Sequence, residues 1–260
     1  VQILKAGEYT FPGNTKKAII VEGLDEKGAD GNYVAAINLN GVSEYNENLT
    51  FKHLTFNFTN SEGSDRGFTH CVNMTYNECA FTGLMWGYDS QVSTFNDCLF
   101  HQATKYNVWS YGGNLEFNRC LFQTSTGTIV NVYATGTDVH EVRFNDCTFE
   151  SLNNVLDKGA ILLKGGKNHG HVIVNNYTLK GKFQNNGDSS TYINSVDGLY
   201  MFSLRDGDFC DAVYITVDGV THYPYFTIDA DGNYSVNNAN GLKAAVKHWN
   251  ALTSTGEKTI

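Results

Sequence analysis

Proline is almost missing from this chain: 260 residues contain 2. Charge is scarce too, with Asp, Glu, Lys and Arg together making up 17%. No apolar run approaches the roughly 18–20 residues that a membrane-spanning helix needs. There is no basic stripe and the formal net charge is −9, so nucleic acid and anionic membranes are poor partners. The opening VQILKAGEY has neither the basic n-region nor the apolar h-region of a secretory leader. Low charge does not mean disorder here. Hydrophobic residues reach 41%, enough to build a core in one large domain or two small ones. Aromatic residues reach 13%, with 15 Tyr and 16 Phe, which suits strands better than helices. Many polar positions hold Asn, Thr, Ser and Gly in place of Lys or Glu, as is common on secreted and surface proteins.

What the chain has in abundance is a repeat. STFNDCLF (Ser93–Phe100) shares its pattern with MTYNECAF, LEFNRCLF and VRFNDCTF. Aligned on Asn77, Asn96, Asn118 and Asn145, the copies are 19, 22 and 27 residues apart. LTFKHLTF (Leu49–Phe56) and VIVNNYTL (Val172–Leu179) are weaker copies on either side. A short alternating pattern at such a step marks one supersecondary unit per repeat, stacked on its neighbours. Each copy reads as strand, corner, strand. Ser93 and Phe95 point inward, Asn96 and Asp97 turn the corner, and Cys98 and Phe100 point inward again. The spacing places the left-handed backbone at the Asn, which tolerates it better than most residues, and stacks the amides into a ladder. Glu78, Asp97, Arg119 and Asp146 share the next position, and a site that takes either sign is a solvated corner.

Four of the 6 Cys, at 79, 98, 120 and 147, occupy one inward position of the repeat. Free Cys packs as a small hydrophobe. Strand spacing permits a bridge, but parallel Cβ vectors oppose it. A straight file of thiolates also fails to make the tetrahedron zinc prefers. Reduced, inert thiols are expected, with Cys71 and Cys210 free and buried as well.

The six copies and their Asn corners resemble the right-handed parallel β-helix of the pectin-lyase-like superfamily, over Leu49 to Leu179, about half the chain. The expected class is therefore all-β: a parallel β-helix over residues 1–197 with an inward Cys stack. A small β-hairpin appendage follows over 198–237, where Asp218–Gly219 and Asp231–Gly232 are hairpin signals. DADGN (Asp229–Asn233) looks like part of a calcium loop but lacks the distant Glu, so it reads as a turn. Residues 238–260 hold the one amphipathic helix, with Leu242, Ala245, Val246 and Trp249 on its apolar stripe and Asn240 as N-cap. In the resembling family such a helix commonly plugs the first coil. Here it either caps this solenoid or belongs to a following unit of a tandem array. VQILKAGEYTFPG resembles the piece that follows such a helix and GEKTI its lead-in, which favours the array.

The fold hosts lyases, hydrolases, epimerases, tailspikes and adhesins, so it names no activity. If the recurring residues are structural, function lies where the coils differ. In LMWGYDS, YNVWSYGG and TIVNVYATG, placing Tyr88, Tyr111 and Tyr133 in register also stacks Trp86, Trp109 and Asn131. The small and aliphatic residues between them then face in and the aromatics face out, with His70 nearby. An exposed aromatic file suits the apolar faces of sugar rings. The opposite parity would bury these rings in the core. Catalytic signatures of the resembling enzymes are incomplete. There is no adjacent Asp pair, Gly-His-Gly or Arg-x-Lys, and HGH (His169–His171) falls on a Gly-rich turn. Asp89, His101, Lys105, Asp138 and His140 are the titratable groups near the proposed groove. Asp138 and His140 are spaced as an acid–base pair, and Asp89 lies two coils from Asp138, permitting an inverting carboxylate pair. The expected function is an extracellular or cell-surface module of bacterial type, glycan-binding, adhesive or spacer-like. It needs no metal or other cofactor, calcium being the one alternative. A polysaccharide lyase or glycoside hydrolase using the same groove is the competing reading.

Overall fold

The computed structural model describes residues 1–3, 5–8, 16–38, 42–44, 46–58, 67–69, 71–87, 91–104, 106–124, 129–133, 140–153, 159–164, 170–181, 183, 191–196, 199–204, 214–223, 226–236 and 239–252. They form a mostly β structure with long parallel sheets, as an all-β solenoid is built. The first sheet has ten strands, among them Met74–Asn77, Val92–Asn96, Asn114–Asn118, His140–Asn145 and Gly170–Asn175. The second has eight, including Ala80–Gly83, Leu99–His101, Leu121–Thr124 and Thr148–Ser151. The third also has eight, including Met85–Gly87, Val108–Ser110, Val130–Tyr133 and Ile161–Lys164. The chain visits the three sheets in rotation, so each strand pairs with its counterpart one coil away.

The repeat maps onto the first and second sheets as expected. Ser93, Phe95, Cys98 and Phe100 are all buried. Two aromatic columns fill the core between these sheets. Phe51, Tyr76, Phe95, Phe117 and Phe144 stack with centroids 4.7–5.2 Å apart. Phe56, Phe81, Phe100, Phe122 and Phe149 stack at 4.6–5.2 Å. Across each coil the two columns meet edge to face, as at Phe95–Phe100 (5.6 Å, 68°). Parallel in-register strands impose the offset stacking, and the corner sets the second column nearly perpendicular to the first. Full burial of each ring contributes about 1.5–3 kcal/mol.

The Asn ladder is present. Asn96 Nδ2 donates to Asn77 Oδ1 at 2.9 Å, Asn118 to Asn96 at 3.0 Å, Asn145 to Asn118 at 2.8 Å and Asn175 to Asn145 at 2.8 Å. The left-handed residue is not the Asn but the one after it. Glu78, Asp97, Arg119, Asp146 and Asn176 take φ of 51°, 55°, 54°, 54° and 48°. The Asn must keep strand geometry for its amide to line up with those above and below, so the bend falls one residue later. A non-glycine residue there costs about 1–2 kcal/mol. The ladder and the buried columns hold each one in place. Arg119 forks onto Asp97 at 2.8 Å through both Nε and Nη2, and Asn176 Nδ2 donates to Asp146. Both ends of the ion pair are solvated, so it contributes little.

Cys79, Cys98, Cys120 and Cys147 are free and buried, and so is Cys71; Cys210 lies outside the described residues. Three thiols of the file meet a backbone carbonyl of the coil below: Cys98 Sγ to Tyr76 O at 3.5 Å, Cys120 to Phe95 O at 3.4 Å, Cys147 to Phe117 O at 3.4 Å. Burial pushes the Cys98 and Cys120 thiols well above their ordinary range, which keeps them protonated and unreactive.

Solenoid pairing runs past residue 197. Leu199–Leu204 lies parallel to Ile161–Lys164 in the third sheet, and Tyr214–Val217 lies parallel to Gly170–Asn175 in the first. The absence of an Asn corner hid these strands. Asp218–Gly219, with φ of 47° and 81°, does turn the antiparallel pair Tyr214–Val217 and Val220–His222. A second hairpin pairs Phe226–Ile228 with Tyr234–Val236. In the turn between them Asp229 Oδ1 accepts from the amides of Asp231 and Asn233, and Oδ2 from Asn233 Nδ2. These bonds hold the Asp229 carboxyl below its usual range and give DADGN its role as a turn.

The helix spans Ala239–Ala251, starting ahead of Asn240; of the expected stripe Ala245 and Trp249 pack inward, and Leu242 and Val246 do not. Ala244 and Ala245 pack against Phe226 and Tyr234 of the hairpin, while Leu242 and Val246 are exposed. The hairpin presents large rings, which the two alanines approach closely while Trp249 and His248 pack beside them. Tyr234 OH lies 2.7 Å from His248 Nδ1 on the same face.

Candidate functional site

The third sheet positions the tryptophans. Met85↔Val108↔Val130, Trp86↔Trp109↔Asn131 and Gly87↔Ser110↔Val132 are aligned across adjacent strands. Met85, Gly87, Val108, Ser110, Val130 and Val132 are buried, and Trp86 and Trp109 are half-buried on the other face. The alternation follows the period-2 pleat. Gly87 has a packing reason: a Cβ there would lie 2.6 Å from Leu115 Cδ1.

The two indoles stack at 4.7 Å between centroids with 12° between planes. Tyr111 lies 5.9 Å from Trp86, and Tyr106 meets Trp109 edge-on at 5.7 Å and 79°. All four rings are half-buried. Tyr106 was not singled out in the sequence, although it stands three residues before Trp109. The row does not continue as an open aromatic surface. Asn131 and Leu162, next in register, are buried. The Asn131 amide meets no hydrogen-bond partner among the described residues. Tyr133 occupies the end of Val130–Tyr133, in register with Lys164, but its side chain lies outside the described residues, as do Tyr88, His70, Asp89, Lys105 and Asp138.

Of the acid–base candidates, His101 and His140 lie among the described residues, and neither stands on the third sheet. His140 is buried at an inward position of His140–Asn145, in one row with Val142 and Phe144. His101 stands on the second sheet, buried, with Nε2 2.8 Å from Asn32 Oδ1. Desolvation lowers its pKa, with Asp30 pulling weakly the other way. Its outward row is polar: Thr82 Oγ1 donates to Asn57 Oδ1 at 3.2 Å, and Gln123 Nε2 to Glu150 Oε2 at 2.7 Å. His171 belongs to the strand Gly170–Asn175 of the first sheet and not to a turn. The arrangement at the third sheet thus offers a half-buried stack of two indoles with a tyrosine beside each. Comparison with protein-family models, with curated proteins and with solved structures finds no match.

Proposed function

We propose that this chain is a glycan-binding module of an extracellular or cell-surface protein, built as a right-handed parallel β-helix of the pectin-lyase-like kind. The observation that carries the reading is the stacked Trp86–Trp109 pair, half-buried and flanked by Tyr111 and Tyr106. Such rings offer apolar surface to the C–H face of a sugar, while tyrosine hydroxyls meet its edge. Indoles one strand spacing apart suit one extended chain lying along the solenoid. The polar, Asn- and Thr-rich surface and the net charge of −9 favour a neutral glycan over a polyuronate.

The test is a titration of intrinsic Trp fluorescence with a panel of plant, host and bacterial glycans, alongside Trp86→Ala and Trp109→Ala. Saturable quenching by one glycan class is expected, weakened by about tenfold or more in each variant, or roughly 1.4 kcal/mol. Silence across the panel would sink the reading and leave a rigid spacer. Product analysis with the bound glycan separates binding from cleavage.

A further inference from the structure

The outer face of the first sheet carries a second constellation, on a different sheet from the tryptophans. Glu141 and His171 are directly opposed on neighbouring strands, and Thr216 follows one strand further, opposite Ile173. His171 Nε2 lies 2.9 Å from Thr216 Oγ1. Its Nδ1 lies 3.6 Å from Glu141 Oε2. The other carboxylate oxygen of Glu141 accepts from Arg143 Nη2 at 2.6 Å and Nε at 3.1 Å. The Glu141 amide donates to Asn114 Oδ1 at 2.7 Å. Thr221, on the adjoining edge strand, sets its hydroxyl 3.3 Å from that of Thr216. Carboxylate, imidazole and hydroxyl therefore stand in the order orienter, base and nucleophile.

We propose that Thr216, His171 and Glu141 form a hydroxyl-activating relay that transfers acyl groups from esters carried on the outside of a large substrate. Arg143 turns Glu141 so that Oε2 faces Nδ1, which favours the tautomer with its proton on Nδ1 and a lone pair on Nε2. Desolvation holds the imidazole below its ordinary pKa, with Glu141 opposing and Arg143 assisting, so the base is neutral at neutral pH. Thr216 Oγ1 bonds to the ester carbonyl carbon as its proton passes to Nε2 and the carbonyl π pair moves onto oxygen. The adduct collapses, the ester C–O bond breaks, and the leaving alcohol takes the proton from Nε2. Water then repeats the sequence on the acyl-threonine, releasing the carboxylic acid and restoring the hydroxyl. The sheet's amides are engaged in strand pairing and do not supply an oxyanion hole, so activated esters react first. The relay stands on an open sheet, which gives it access to substituents of a polymer.

The experiment uses the full chain with p-nitrophenyl acetate, following release of the phenol and locating the acyl group by tandem mass spectrometry. The expected result is one acetyl on Thr216. The rate falls by on the order of 100-fold in Thr216→Val and His171→Asn, the range of general-base assistance. Thr216→Ser keeps activity, and Thr94→Ala, in the same outward row four strands away, leaves it unchanged. In Glu141→Gln the rising limb of the pH–rate profile moves to lower pH, because the carboxylate that raises the imidazole pKa is gone. Acylation only at other residues, a wild-type rate in Thr216→Val, an inactive but folded Thr216→Ser, or no rate above buffer would each overturn the relay.

Discussion

At the corner between the first and second sheets, five coils in succession place Asn in one row, followed each time by a left-handed residue. In the third sheet one row runs Val42, Gly67, Trp86, Trp109, Asn131 and Leu162, with no residue type kept for more than two coils. The first region repeats because every coil must solve the same problem: bend in one residue while keeping its amide and its ring in register. The second need only pair its backbone, so its outward side chains are released to differ. Repetition here marks what holds the solenoid up, and variation marks where the packing leaves side chains free to differ.

The contrast breaks or holds on substitution. The largest effect belongs to the aromatic column: Phe117→Ala leaves a cavity between four stacked or edge-on rings and costs about 3–5 kcal/mol. Trp109→Ala, half-buried, costs no more than about 2 kcal/mol in the same urea titration. Equal losses would make the third-sheet face a second core. Next comes Asn118→Ala, which removes the donor to Asn96 Oδ1 and leaves Asn145 Nδ2 only its longer bond to Glu116, and costs about 1–3 kcal/mol. A neutral result would show the columns alone keep the register.

A pH effect follows from His101 in the non-repeating polar row. Its folded pKa lies below the ordinary 6.5, so the unfolded chain takes up the proton more readily. Stability is full above the unfolded value, falls as pH drops through it towards the folded one, and then levels off. The slope of urea midpoint against pH should flatten in His101→Gln, while His171 and His248, lowered in the same direction, leave a residual slope. The smallest effect has the opposite sign. Glu78→Gly relieves a left-handed φ of 51° and should raise stability by up to about 1 kcal/mol. A loss would mean that the His53 contact at 3.7 Å outweighs the strain.

The repeated half of the molecule was legible because its constraints recur. Phe95, Cys98 and Phe100 could be placed inside, and the amide ladder foreseen, from spacing alone. Spacing put the left-handed conformation on Asn96 where Asp97 takes it, since both types tolerate a corner and only the ladder tells them apart. The strands Leu199–Leu204 and Tyr214–Val217 carry no Asn, so pairing with earlier strands, a long-range property, was invisible. The helix stripe was half right: Ala245 and Trp249 meet the hairpin, but Ala244 takes a place on that face while Leu242 and Val246 are left exposed. His171 was hidden by flanking glycines that suggested a turn. Glu141, His171 and Thr216 are 30 and 45 residues apart, too far for a local motif to announce them.

The ladder also works as a ruler. Its bonded asparagines are separated by 19, 22, 27 and 30 residues along the chain, yet each stands one strand spacing, about 4.8 Å, above the last. The distance between the ends of this stretch is thus counted in asparagines, whatever each coil contains. Residues can be gained or lost between two rungs without shifting any other rung, so groups borne on separate coils keep their pitch while the chain around them changes.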